Sequence, residues 1–173
     1  MILLDGESLT LSQLVEIARN NTEVSLAPEG RQKVTQANQW LESILKQEAP
    51  VYGINTGFGI FADMRIQPGD IRQLSRNLIL SHSVPLGEPL PAEIVRAGML
   101  VRANALVAGH SGVRIEVVER LLEMLNKGVI PVISAQGSLG SSGDLCLLSQ
   151  MALVLTTDKN DLEEESGQAV YNH

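Results

Sequence analysis

Residues 137–145 read Gly-Ser-Leu-Gly-Ser-Ser-Gly-Asp-Leu, and the apolar run Cys146-Leu147-Leu148 follows at once. Glycine loses the most backbone freedom on ordering, and serine competes with the backbone for its own hydrogen bonds, so such a stretch reads as a loop. Asp144 is a residue type that starts helices, and residues 144–155 are almost wholly apolar. The stretch is therefore a glycine- and serine-rich loop, spanning residues 134–143, that feeds a buried helix.

The same alternation of helix and loop continues outward. Upstream, helices are expected over residues 116–127 and 92–108. The second is apolar on several sides, through Ile94, Val95, Ala97, Met99, Leu100 and Val101, which places it at the centre of the fold. Pro85, Gly87, Pro89 and Pro91 read as a turn-rich connection. Ile71, Leu74, Leu78 and Ile79 keep a helical spacing across residues 68–83. Residues 51–64 break that period with Gly53, Gly57 and Gly59, and the run 51–54 has the character of a short strand. Further helices are expected over residues 29–47 and through Leu11, Leu14, Val15 and Ala18, with Thr10 placed as a cap. The chain is thus mainly α, with glycine-rich loops at two places. It reads as a single unit over residues 1–173, with an ordered core over 1–155 and a polar, acidic tail over 156–173. The last helix is unusually apolar for a domain end, so partners beyond these residues are expected.

The bulk numbers narrow the function. With 173 residues, 44% of them hydrophobic and 19% charged, a sizeable core is expected. A net charge of -7 without a basic cluster argues against a nucleic-acid partner. No basic amphipathic helix and no apolar run near the roughly 20 residues of a membrane span is visible. The N-terminus lacks the basic start and apolar stretch of a secretory signal. One cysteine, Cys146, fits a reducing cytoplasm and reads as a small buried hydrophobe. The three histidines show no metal-ligand spacing, and no metal or dissociable cofactor is expected.

The loop itself carries a specific chemistry. If the Gly143 nitrogen closes on the Ser141 carbonyl carbon, loss of water gives an imidazolone. Elimination of the Ser142 hydroxyl then leaves an exocyclic methylidene. The product, 4-methylidene-imidazol-5-one, is a strong electrophile. The route needs a β-leaving group at position 142, an unhindered nitrogen at 143 and a small residue at 141, which this sequence supplies. At a helix N-terminus, electron density moving onto the ring oxygen is favoured.

Gly-Ser-Leu-Gly-Ser-Ser-Gly-Asp-Leu resembles the signature of the aromatic amino acid ammonia-lyase and aminomutase family, with Ser141 where alanine is usual and Leu147 where most members have proline. Two more blocks support the resemblance. Residues 52–59, Tyr-Gly-Ile-Asn-Thr-Gly-Phe-Gly, are similar to the family's mobile Tyr-Gly loop. Residues 102–112 are similar to a structural block, with Ala105 in place of a serine. The resemblance implies a helical fold of the fumarase and aspartase type. It also implies self-formation of the ring from Ser141-Ser142-Gly143, and Tyr52 as catalytic base. Gly59 and Leu145 become substrate-binding positions. Within the family a two-residue position separates substrates, and the Ser-His form found here as Ser81-His82 accompanies histidine. An imidazole at 82 can hydrogen-bond a polar substrate ring, which an apolar residue cannot.

The implied reaction is the non-oxidative elimination of ammonia from an aromatic L-amino acid, with histidine to urocanate indicated. A 2,3-aminomutase is its variant. Members of the family are much longer and form homotetramers whose sites combine several subunits. The resemblance spans residues 3–155, the N-terminal portion, and the later carboxylate-binding positions are absent. A non-catalytic relative, or a piece that assembles with a missing C-terminal part, is the other reading.

Overall fold

Two short strands joined by a helix start the chain. β1 (Ile2–Leu4) pairs in parallel with β2 (Val24–Leu26), Ile2 opposite Val24, and α1 (Leu11–Asn20) makes the crossover between them. The computed structural model describes residues 1–47, 49–137 and 140–155, and the backbone of 170–171. The expected cap is present at Thr10. Its hydroxyl accepts from the Gln13 backbone N–H, and the Gln13 side chain accepts from the Thr10 N–H in return. Asn21 ends α1 in the left-handed region at φ 53°, which asparagine tolerates.

α2 (Pro28–Leu45) begins with a proline, whose missing N–H is an orphan at that position anyway. An irregular segment with one 3-10 turn (Gly59–Phe61) leads to α3 (Ile71–His82). β3 (Leu86–Pro89), α4 (Ala92–Val107), α5 (Ile115–Lys127), β4 (Ile130–Pro131), β5 (Ser134–Gln136) and α6 (Leu145–Leu155) follow. β6 (Val170–Tyr171) pairs antiparallel with β4.

α4 is the central helix, but it buries one face rather than all sides: Ile94 and Val101, read as part of its apolar surround, are half exposed. Val95, Met99, Leu100, Ala103, Leu106 and Val107 are buried, against Ile17 of α1, Val34 of α2 and Val118, Leu121 and Leu125 of α5. Arg96 sits in the same core, 4% exposed. Among the described residues it has no ion pair, and it donates to the carbonyls of Ile17, Ala18 and Leu125 at 2.9–3.2 Å. One guanidinium therefore caps the C-terminal ends of both α1 and α5. Burial draws its pKa below the ordinary arginine value. Asn126 clamps the edge strand β2 by accepting from the Val24 N–H and donating to its carbonyl, at 3.0 and 2.8 Å.

Two local expectations are corrected. Residues 51–54 form turns rather than a strand, because Asn55 recruits their backbone groups. The proline-rich connection contains β3, which pairs antiparallel with β5 across an irregularity between Leu86 and Pro89. A proline at the end of an edge strand leaves no ladder bond broken. The acidic run 161–166 and His173 lie outside the described residues. No helix among the described residues is long and apolar enough to cross a membrane.

Candidate active site

The loop after β5 is pinched at its base. Gly137, at φ 132°, lies so close to Cys146 and Val84 that a Cβ there would stand 2.6 Å from the Cys146 Sγ and 2.9 Å from the Val84 carbonyl oxygen. The Cys146 thiol donates to that same carbonyl at 3.4 Å. Entry and exit of the loop therefore meet at one point, the residue that follows Ser81-His82-Ser83. This closed neck brings two sequence-predicted features together, the Ser-Ser-Gly loop and the segment after the Ser-His pair. Antiparallel pairing of Leu86 with Gln136 reinforces it.

Beyond the neck, Ser141, Ser142 and Gly143 are exposed, and Gly140 and Gly143 hold positive φ of 98° and 76°. A side chain at either position would be strained there. The tripeptide leads directly into α6, whose first turn is closed by the Leu148 N–H on the Asp144 carbonyl at 3.0 Å. The helix starts at Leu145, one residue after the expected start. Leu147 is part-buried against the core, so it anchors α6 by packing in place of a proline's fixed φ. These residues fit a self-made electrophile: position 142 carries a β-hydroxyl, and position 143 has a bare nitrogen in a conformation suited to glycine.

Ser81 and His82 close α3. The Ser81 hydroxyl donates to the Leu78 carbonyl at 3.1 Å, and the His82 Nδ1 lies 2.8 Å from the same oxygen. A carbonyl only accepts, so Nδ1 carries a proton in this contact, and Nε2 is the ring nitrogen left to face a ligand. Ser81 is exposed and His82 half-buried. Leu145 is 49% exposed and lines an apolar groove of about 300 Å³ with Leu106 and Arg102 of α4 and Leu148 of α6.

Tyr52 stands apart. It is 65% exposed, in a T-shaped contact with Phe58 at a centroid distance of 6.0 Å. Its loop is organised by Asn55 and Thr56, both buried, which the sequence reading passed over. Asn55 accepts from the Val51 N–H at 2.7 Å and donates to the Ala49 carbonyl at 3.0 Å. Thr56 accepts from the Gly53 N–H at 3.3 Å and donates to the Gly57 carbonyl at 3.0 Å. Gly59 is exposed at the far end, with open space around it. Among the described residues no hydrogen bond joins Tyr52 to residues 140–143. A cleft of about 670 Å³ lies beside this loop, between Trp40 and Leu41 of α2, Ser75 of α3 and His110, and no sequence-predicted site residue lines it.

The block 102–112 braces its neighbours. Gly112 accepts from the Asn38 amide at 2.9 Å, so the block's end braces α2. Arg102 and Leu106 of its helical part line the apolar groove together with Leu145 and Leu148 of α6. Gln150 was also missed. Its signal was a fully buried amide in an otherwise apolar helix, which periodicity alone does not single out.

Residues 9–170 match the family model for aromatic amino acid lyases. A histidine ammonia-lyase of Caldanaerobacter subterraneus subsp. tengcongensis is 48% identical over 154 residues, which make up 89% of this chain and 30% of that protein. The histidine ammonia-lyase structure from Trypanosoma cruzi aligns with a TM-score of 0.78 and 38% identity, over 88% of this chain and 29% of that one. The tyrosine aminomutase structure from Streptomyces globisporus aligns with a TM-score of 0.80 and 34% identity, over 87% of this chain and 28% of that one. The chain spans about 30% of the length of the curated relatives it matches.

Proposed function

The chain belongs to the aromatic amino acid lyase family, and we propose that it supplies the electrophile loop, the base and the side-chain-recognition pair of a histidine ammonia-lyase. The reaction is the elimination of ammonia from L-histidine to give urocanate. The observation that carries the reading is the pinched loop: Ser141-Ser142-Gly143 is exposed beyond a neck built on Val84, close after Ser81-His82. Identity to a histidine ammonia-lyase at 48% supports the choice of substrate.

The 4-methylidene-imidazol-5-one formed from Ser141-Ser142-Gly143 would supply the electrophile that turns the substrate amino group into a leaving group. The rest is the work of ordinary side chains. Tyr52 takes the β-proton as the base of the site. His82 offers Nε2 to an imidazole N–H of the substrate, and Ser81 adds a hydroxyl beside it. Leu145 and Gly59 would bound the substrate on two sides, one with an apolar side chain and the other with bare backbone.

Tyr52 is exposed on a self-contained loop, which suits a base offered to the site of another copy in a homotetramer. A single cysteine, Cys146, in these 173 residues suits a cytoplasmic setting. The likeness to a tyrosine aminomutase favours a second reading, in which the amine returns to the β-carbon. The product decides between them: an unsaturated acid for the lyase, a β-amino acid for the mutase.

The test is intact mass combined with turnover. The protein should be lighter than its encoded chain by two waters and should form urocanate, followed by ultraviolet absorbance, in preference to cinnamate or coumarate. Ser142→Ala should leave the chain without the full loss and take activity to background. A wild-type mass equal to the encoded chain sinks the enzymatic reading in favour of a non-catalytic relative.

A further inference from the structure

We infer that Gln150 is a positioning residue for closure of the Ser141-Ser142-Gly143 ring, an inference that rests on the reading above that the ring forms. Closure joins the Gly143 nitrogen to the Ser141 carbonyl carbon. The carbonyl oxygen leaves as water with the protons of the Gly143 and Ser142 nitrogens. Ser142 then loses its hydroxyl together with its own Cα hydrogen, as a second water. No oxidant is needed. The difficult part is geometric, because a poor amide nucleophile must be held against a neighbouring carbonyl.

Gln150 is 2% exposed, on the second turn of α6. Its Oε1 accepts from the Ser134 N–H at 3.0 Å, at the start of the strand that enters the loop. Its Nε2 donates to the carbonyl and the Sγ of Cys146, both at 3.4 Å, where the chain leaves the loop. The Cys146 thiol passes the restraint on to the Val84 carbonyl at 3.4 Å. One amide thus ties the entrance of the loop to its exit. Fixing both stems removes closure entropy from the segment between them and raises the effective concentration of the Gly143 nitrogen at its target.

The side chain needs an acceptor at one end and a donor at the other. An apolar residue of the same length would leave the part-buried Ser134 N–H without this acceptor. Gln150 touches none of the reacting atoms, and its influence passes through Ser134 and Cys146.

The experiment follows the loss of two waters by intact mass against time after synthesis, in the full-length protein. Gln150→Met should slow closure by roughly tenfold or more, the loss expected for a buried hydrogen bond. Melting of Ser142→Ala and Ser142→Ala/Gln150→Met, in which the complete ring cannot form, measures the purely structural effect separately. Gln150→Glu is the second variant. Its protonated carboxyl reproduces both the acceptor and the donor, so closure should quicken as pH falls, a dependence the wild type lacks. Wild-type closure rates in a folded Gln150→Met protein, or a flat pH profile in Gln150→Glu, would overturn the assignment alone. A wild-type chain that never loses two waters overturns the ring reading and this inference with it.

Discussion

The loop carrying Ser141-Ser142-Gly143 is held from outside, at a neck where Gly137, Cys146, Val84 and Gln150 converge. The loop carrying Tyr52 is held from inside, by the buried side chains of Asn55 and Thr56 bonding to their own neighbours. The contrast follows what each loop is proposed to do. A ring closing on its own backbone needs stems that cannot drift, so it is anchored to three separate parts of the scaffold. A base that must meet substrate, from whichever copy completes the site, needs only to keep its own shape. Its exposed tip is then free to approach as a unit.

The largest expected effect separates the two loops outright. Tyr52→Phe should reduce turnover by about 10²–10⁴-fold, the usual contribution of a positioned base. The aromatic contact with Phe58 survives the change, so the melting temperature should hold. The loss of two waters should be complete as well, because nothing in the neck depends on Tyr52. Steady-state kinetics with intact mass on the same sample checks this. Retained activity would remove Tyr52 from the chemistry. Loss of ring formation would show that the two loops are coupled after all.

Gly137→Ala attacks the other side of the comparison. The new Cβ would collide with Cys146 and the Val84 carbonyl, in a backbone conformation that alanine resists. Overpacking and strain together should cost about 2–4 kcal/mol of global stability, because the neck joins α3, β5 and α6. Denaturant titration measures it, and a midpoint shift at unchanged slope is the expected form. A neutral substitution would mean that the neck is looser than its distances imply.

Much of this was legible in the sequence, and the limits have physical causes. Thr10 announced its helix because a cap acts within a few residues; α4 announced its central place by apolar residues on several sides, although the structure buries only one face and leaves Ile94 and Val101 half exposed. The Ser-Ser-Gly triplet alone is a common linker sequence, and it stood out only through the resemblance of the whole stretch 137–145 to a family signature. The pairing of Leu86 with Gln136 was not, since no local signal spans that separation and the intervening prolines read as turn. Arg96 and Gln150 were hidden for a related reason. Each is a polar residue in an apolar helix, and its meaning lies in carbonyl and amide groups that only the fold brings near. Asn55 carries no local signal in a glycine-rich stretch, and only its burial in the fold makes it the organiser of its loop.

Asn55→Ala gives the smallest effect and the finest test of the contrast. The change deletes the acceptor for the Val51 N–H and the donor to the Ala49 carbonyl, both within the segment itself. About 1–2 kcal/mol should be lost, the net contribution of two part-buried hydrogen bonds. The loss should fall on local opening rather than on the global transition, because those bonds reach no part of the core. Hydrogen exchange would then quicken over residues 51–66 while protection in α4 and α5 stays at the wild-type level. Protection lost together in both places would mean that the Tyr52 loop is welded to the core like its counterpart. The division between an anchored electrophile loop and a self-contained base loop would then have to be given up.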